Sequence, residues 1–226
     1  MDLTGVPVNA NSPTMAESDM FRRGDAAETI KDAALRLFAQ RGVDGVTVRQ
    51  IAEAAGQKNH AAVGYHFGSK EELVRAVIVH GARLIDDVRG AMLDQAERSG
   101  GPHSVLEVMR LLVFSSLPSA SPPWSDCYNQ FVVTLQLSNR ALFMDALDGR
   151  WNAGYLRSLD HIRRLRPDMP PAAMNQRLLF MGAALGGILA SREQALADTS
   201  RPHPTWSDLD TLDHASRALA AMLEPA

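Results

Sequence analysis

Apolar residues recur at helical spacing along almost the whole chain. Ile30, Ala33, Ala34, Leu37 and Phe38 fall at i, i+3, i+4, i+7 and i+8. That is one face of a helix, predicted from about Asp25 to Arg41. Gly42 follows where a left-handed residue commonly ends a helix. After the turn Val43–Gly45, Thr47 and Gln50 have the spacing of a capping box, hydroxyl forward and amide back. They open a short helix carried by Val48, Ile51, Ala52 and Ala55 and stopped at Gly56. A third short helix is predicted over about Lys58 to Tyr65, closed by Phe67 and Gly68.

Ser69 with Glu72 opens a long helix with a stripe of Leu73, Val77, Leu84 and Val88 beside Val74, Ile78, Ile85 and Met92. It fades near Ser99. Ser104 with Glu107 caps a fifth helix to about Leu117, and Pro118–Pro123 reads as a loop. Further helices are expected over about Ser125–Ser138, Arg140–Leu165, Ala172–Ala197 and Trp206–Leu223, with prolines between the later ones. No strand pattern and no repeat is visible. The fold class is therefore all-α.

Composition agrees. Hydrophobic residues make up 46% of the chain but aromatic ones only 6%. An Ala- and Leu-rich apolar set favours helices over sheets. Cys127 is the one cysteine, so no disulfide forms within the chain and a reducing cytoplasm is the expected setting. No apolar run is long enough for a membrane span. Residues 1–20 lack the pattern of a secretory signal and read as a disordered arm. Net charge is −3 and unevenly spread. Phe21–Arg83 holds ten Lys and Arg against seven Asp and Glu, the remainder thirteen against nineteen. A basic head on an acidic body suits a head that meets nucleic acid, although a difference of this size also arises by chance.

Two short helices joined by a glycine turn and braced by a longer one form a helix-turn-helix. The major groove, about 12 Å wide, admits one α-helix. The second helix of the pair enters it while the first crosses the backbone. The text ETIKDAALRLFAQRGVDGVTVRQIAEAAG followed by YHFGSKEEL, Glu28 to Leu73, resembles the DNA-binding region of the TetR family of regulators. Many positions match at fixed spacing over about a fifth of the chain. One stretch departs. Nine residues, Gln57–Tyr65, stand between Gly56 and His66 where the commonest family pattern has eight. Gly64-Tyr65 replaces the usual Tyr-Tyr, and Ala61-Ala62-Val63 the usual Gly-Thr-Leu. This resembles a subset with a longer turn, and it leaves open which side chains face base edges.

The resemblance implies residues 21–70 as the DNA-binding domain and 71–226 as a helical ligand-binding and dimerisation domain. Thr47 and the amides at its helix start are expected to hold a phosphate, with Arg49, Lys58 and Lys70 adding charge. Gln57, Asn59 and His60 are placed at the start of the recognition helix, where Asn and Gln pair with adenine. Tyr65 and His66 resemble family positions that touch backbone. Arg22 and Arg23 either enter the minor groove or sit in the arm. Phe38, Ile51, Val63 and Phe67 are core. In the family the last two major helices of each subunit build a dimer interface. Here they would be LLFMGAALGGIL, Leu178–Leu189, apolar all round, and the stripe Leu209, Leu212, Ser216, Leu219, Leu223. The glycines of the first segment alternatively serve packing within one subunit. Trp124, Phe131, Met144, Trp151, Tyr155 and Met181 are candidates to line an effector pocket, or ordinary core.

No Gly-rich phosphate loop and no Gly-x-Ser-x-Gly elbow is present, so no enzyme and no cofactor is expected. His80, His103, His161, His203 and His214 are too dispersed for a local metal motif. Cys127 reads as a small buried hydrophobe or, alternatively, an oxidant sensor. The expected function is a dimeric regulator, a repressor by family habit, released by a small molecule from an inverted repeat in double-stranded DNA. The alternative is a helical ligand- or protein-binding module whose head reads no specific sequence.

Overall fold

The computed structural model describes residues 15–117 and 126–224, with side chains from residue 25 onward. The described residues form ten helices and no strand. The helices are α1 Met15–Arg41, α2 Val48–Ala54, α3 Ala62–Phe67, α4 Lys70–Arg98, α5 Val105–Ser115, α6 Tyr128–Leu147, α7 Ala153–Leu165, α8 Pro171–Ala197, α9 Pro204–Ser207 and α10 Leu209–Ala221.

Side-chain caps start four of the helices, α2, α4, α5 and α10. Thr47 and Gln50 complete a reciprocal capping box: Thr47 Oγ1 accepts from the Gln50 amide at 3.2 Å, and Gln50 Oε1 accepts from the Thr47 amide at 2.8 Å. Ser69 and Ser104 each accept from the amide three residues on, at 3.1 and 3.2 Å. Only the forward half of the expected box forms there. Glu107 turns instead to the amide of His103, at 2.9 Å.

Four boundaries differ from the sequence reading. The first helix begins at Met15 rather than near Asp25, so residues 15–20 of the expected arm are helical. Met, Ala and Glu in that stretch are good helix formers, and Pro13 lies just before it. The helix after the turn starts at Ala62, not Lys58. The break expected before Arg140 is only a kink at Asn139, with φ −148° and ψ 68°. The true break is Asp148–Asn152, where Asp148 and Gly149 take φ of 48° and 65°. Asp-Gly is a turn signal, but it was hidden inside a good apolar period. The last segment is split at Asp208, whose side chain caps α10 by accepting from the Asp210 amide at 2.9 Å.

The apolar interior has two parts. One joins Ile30, Ala34 and Phe38 of α1, Ile51 of α2, Val63 of α3 and the first turns of α4 to Tyr128, Phe131 and Leu135 of α6. Phe38, Ile51 and Val63 are fully buried as expected, and Phe67 packs half-buried against them. Of the α4 stripe, Leu84 is exposed, and the buried line runs instead through Gly81, Ala82 and Arg89 to Leu93. Gly81 is a close approach: a Cβ there would run into the Tyr128 ring, whose hydroxyl donates to the Ile78 carbonyl at 2.7 Å.

The second part joins α5, α7, α8 and α10. Leu212, Ser216, Leu219 and Leu223 are buried within the chain, so the α10 stripe packs internally and is not the external face the sequence suggested. Leu209 is exposed. The segment expected to be covered on every side is covered on one. Leu178, Met181, Leu185 and Leu189 are buried, while Leu179 and Phe180 are 66% and 58% exposed. A Cβ at Gly182 would stand 3.0 Å from the Tyr155 hydroxyl, and one at Gly186 3.1 Å from Val133. Both glycines thus permit close packing inside the subunit.

Glu193 fixes α8 to α6. It is buried, and its carboxylate accepts from the Asn129 and Gln130 amides at 3.1 and 2.7 Å and from Asn129 Nδ2 at 2.7 Å. Burial outweighs these bonds and pushes its pKa up from 4.5 to about 7. Between those values the unfolded chain loses this proton while the folded chain keeps it. Stability therefore falls as pH rises through that window, by up to about 3 kcal/mol. We expect urea midpoints of Glu193→Gln, which keeps the shape without the charge, to decline less from pH 5 to pH 8 than those of the wild type. Parallel curves would show that Glu193 ionises as readily folded as unfolded.

Candidate nucleic-acid interface

Glycine placement sets the geometry of the two short helices. Gly56, with φ +66°, ends α2, and Gly68, with φ +78°, ends α3. Between α2 and α3 the chain runs through an extended turn. Asn59 holds that turn: its Oδ1 accepts from the Ala61 amide at 2.9 Å and its carbonyl from the Ala62 amide at 3.0 Å. Val63 is fully buried and anchors α3 on the core. The face away from it consists of Ala61, Gly64 and Tyr65, all exposed, with Tyr65 66% accessible.

This arrangement moves several expected contacts. Gln57, Lys58, Asn59 and His60 lie in the turn, not in the first turn of the recognition helix. Lys58 and His60 are exposed there. The Asn59 acceptor is already used, and Gln57 is half-buried with Nε2 donating to the Ala55 carbonyl at 3.3 Å. Tyr65 and His66 sit together at the end of α3, their rings edge to face with centroids 5.0 Å apart. Lys70 begins α4. Thr47 is exposed at the start of α2, but the capping box already binds its own amide and that of Gln50. Those two groups are not available to a phosphate. Arg49 is exposed and paired with Glu53 at 2.8 Å, which holds its pKa above the usual value. Arg22 and Arg23 have side chains outside the described ones. Lys58, His60, Ala61, Gly64 and Tyr65 are thus exposed in this stretch, while His66 and Lys70 are half-buried.

Ala61 and Gly64 were missed because neither carries a polar group. The signal was there: with Val63 the one large apolar residue in Ala61–Gly64, helical spacing turns 61, 64 and 65 outward.

The candidate effector residues do not converge. Phe131 is 1% exposed and stacks on Phe38 in the first part of the core, with centroids 6.1 Å apart. Trp151 packs half-buried against that same part. Met181 and Tyr155 belong to the second. Met144 is 44% exposed, and Trp124 lies outside the described residues. Burial pushes the Cys127 thiol up to about 12, so it stays protonated at neutral pH and is a poor oxidant sensor. Among the described residues, no group of three or more His, Cys, Asp or Glu side chains is arranged to hold a metal ion. No helix among them is long and apolar enough to cross a membrane.

Gly64 yields a test with two opposed readouts. Its backbone does not require glycine, and a Cβ there would meet nothing within 4 Å. Gly64→Ala should therefore stabilise the fold by about 0.5–1 kcal/mol in urea titration. If α3 enters a groove, the same methyl crowds the approach, and affinity for duplex DNA drops in electrophoretic mobility shift. A gain in both readouts would take α3 out of the groove.

Residues 30–77 match the profile of the bacterial regulatory proteins, tetR family. The chain is 32% identical over 112 residues to the transcriptional repressor AcnR of Corynebacterium efficiens, covering 45% of this chain and 57% of that protein. It is 34% identical over 98 residues to AcnR of Corynebacterium glutamicum, covering 39% and 51%. The matched stretch thus spans about half the length of these curated relatives. A crystal structure of a transcriptional regulator from Rhodococcus sp. Rha1 superposes with a TM-score of 0.52 over 87% of this chain and 95% of that one. At 18% identity this shows a shared fold. The glycine-punctuated three-helix head, residues 30–77, is thus similar to the matching region of the tetR family of bacterial regulatory proteins, and the all-helical body shares its fold with solved regulators.

Proposed function

We propose that the protein is a dimeric transcriptional repressor that reads an inverted repeat in double-stranded DNA and is released by a small-molecule effector. The observation that carries this reading is the outward face of α3. A short helix anchored by Val63 presents Ala61, Gly64 and Tyr65, with Lys58 and Lys70 at its ends. Small residues let the helix axis approach the groove floor, and the flanking cations meet phosphates. The repressors among the relatives support the direction of regulation.

A second copy of the chain is the expected occupant of the outer face of α8. Asn175, Gln176, Leu179, Phe180 and Ala183 form an exposed stripe, directly continuous with the buried one. A two-fold dimer through this stripe repeats the head twice, as an inverted repeat requires. Release follows if an effector favours a state in which the heads are set at the wrong separation.

One observation favours the module without sequence reading: Asn59, the residue best suited to adenine, spends its acceptor on the turn. Selection from a random duplex pool at low and near-physiological salt separates the two readings. Recovery of one inverted repeat at both salts is expected. Binding at low salt alone, with no motif, would leave generic electrostatics. On the recovered site, Lys58→Ala should weaken all sequences alike and flatten the salt slope by about one unit. An unchanged slope removes Lys58 from the phosphate contacts.

Leu179→Glu tests the dimer directly. Burying a carboxylate in the stripe should shift sedimentation from dimer to monomer at micromolar concentration, with the helical signal intact. A variant that stays dimeric would place the interface elsewhere.

A further inference from the structure

Arg89 is a buried cation without a carboxylate partner. It lies in the middle of α4 at 7% exposure. Its Nε donates to Ser115 Oγ at 2.9 Å and its Nη2 to Ser116 Oγ at 2.8 Å. Those hydroxyls pass their own protons to the Leu112 carbonyl, at 3.3 and 2.8 Å. The Tyr155 ring centroid stands 5.9 Å from the guanidinium carbon. One turn back on α4, Asp86 is occupied: its Oδ1 accepts from the Gly154 amide at 2.8 Å. Of the half-buried arginines of the body, Arg157 pairs with Asp94 and Glu97 and Arg166 with Asp168, while Arg177 and Arg192 donate to backbone carbonyls; Arg89 is the more deeply buried. Burial lowers the Arg89 pKa to about 10, which still leaves it charged at neutral pH.

A guanidinium carries five N–H donors, and the two serines engage two of them. An ion removed from water and matched only by neutral hydroxyls is strongly unfavourable in itself. Trp151 Nε1 and Asn152 Oδ1, the residues leading into α7, are buried with no partner. The first turn of α7 packs directly on Arg89, since a Cβ at Gly154 would stand 3.1 Å from Arg89 Cγ. Tyr155 shares its cluster with Met109, Leu112, Val113 and Met181, which are fully buried.

We propose that Arg89, with Ser115 and Ser116, is the anchor for the carboxylate of a small monoanionic effector whose apolar part packs beside Tyr155. A single positive charge with Asp86 one turn away matches one negative charge and disfavours a phosphate dianion. The flat fork of the guanidinium suits the two oxygens of a carboxylate. The apolar neighbours from α5 and α8 select a hydrocarbon body, aliphatic or aromatic. This inference rests on the reading of the body as an effector domain and names the chemistry of its ligand.

The test compares octanoate and benzoate with octanamide and benzamide on the full chain, by calorimetry and thermal shift. The acids should bind at least about tenfold more tightly than the amides, the loss expected for a charge-assisted bond. Arg89→Gln should abolish that preference, and Arg89→Lys should retain part of it. Without added ligand, Arg89→Met should melt above the wild type, because it removes a buried ion with no carboxylate in ion-pair contact. Equal binding of acid and amide, no binding of either acid to the wild type, or a preference that survives Arg89→Gln overturns the proposal. So does an Arg89→Met chain that melts below the wild type, which would make the guanidinium a structural pin. DNA binding is measured on the same samples. Arg89-dependent acid binding by a chain that selects no operator would sustain the ligand site while the regulator reading fails. A chain that selects an operator but binds no acid would lose the ligand site alone.

Discussion

The fold depends on the first turn of α6. Within four residues, Tyr128 to Phe131, that turn makes a bond or a packing contact with three other helices. The Tyr128 hydroxyl reaches the Ile78 carbonyl of α4 across Gly81. Gln130 Nε2 donates to the Ala39 carbonyl, in the last turn of α1, at 3.0 Å. Phe131 stacks on Phe38, the residue just before Ala39 in α1. The amides of Asn129 and Gln130, which as the start of a helix lack intrahelical partners, are taken by Glu193 of α8. Because these links share one turn of helix, α8 cannot shift along its axis without disturbing α1, the brace of α2 and α3. A body helix that carries the candidate dimer face is thereby tied to the helix that positions α2 and α3.

Two ionisable side chains sit in this interior without opposite charges in contact, Glu193 and Arg89. They are handled differently. Glu193 faces three N–H donors and shifts toward its neutral form, so the cost of burial is bounded by protonation. Arg89 has no such escape, because a guanidinium lowered to about 10 remains an ion at neutral pH. Its two serine acceptors offset only part of the lost hydration. Proteins retain such groups chiefly where a function uses the charge. This asymmetry, and not burial alone, distinguishes Arg89 from the other polar residues of the core.

Local chemistry made part of the fold legible and tertiary packing hid the rest. Thr47, Ser69 and Ser104 announce helix starts because a hydroxyl satisfies an amide three residues on, whatever the surroundings. The start of α3 escaped because Asn59 builds a turn before Ala61 and imitates the polar opening of a helix. The gap between α6 and α7 escaped because apolar periodicity continues across Asp148 and Gly149. The resemblance implies a dimer-interface role for the α10 stripe, and the stripe packs within the chain because which partner covers an apolar face is not encoded in its spacing. The outward set on α3 was half visible: Tyr65 carries a polar group and was found, whereas Ala61 and Gly64 act by what they lack.

Head and body also share α4, which runs unbroken from Lys70 to Arg98. Its first turns are packed into the head core through Leu73, Val74 and Val77, and Arg89 lies about five turns beyond Lys70 on the same rod. A carboxylate bound at Arg89, Ser115 and Ser116 would act on a helix whose far end is joined to α3 by Gly68 and Ser69. Tyr128 is the obstacle to free movement, because its ring fills the space over Gly81, roughly midway between the two ends. Head and body therefore meet along one continuous helix, and α3 is held to its start by the two-residue link Gly68–Ser69.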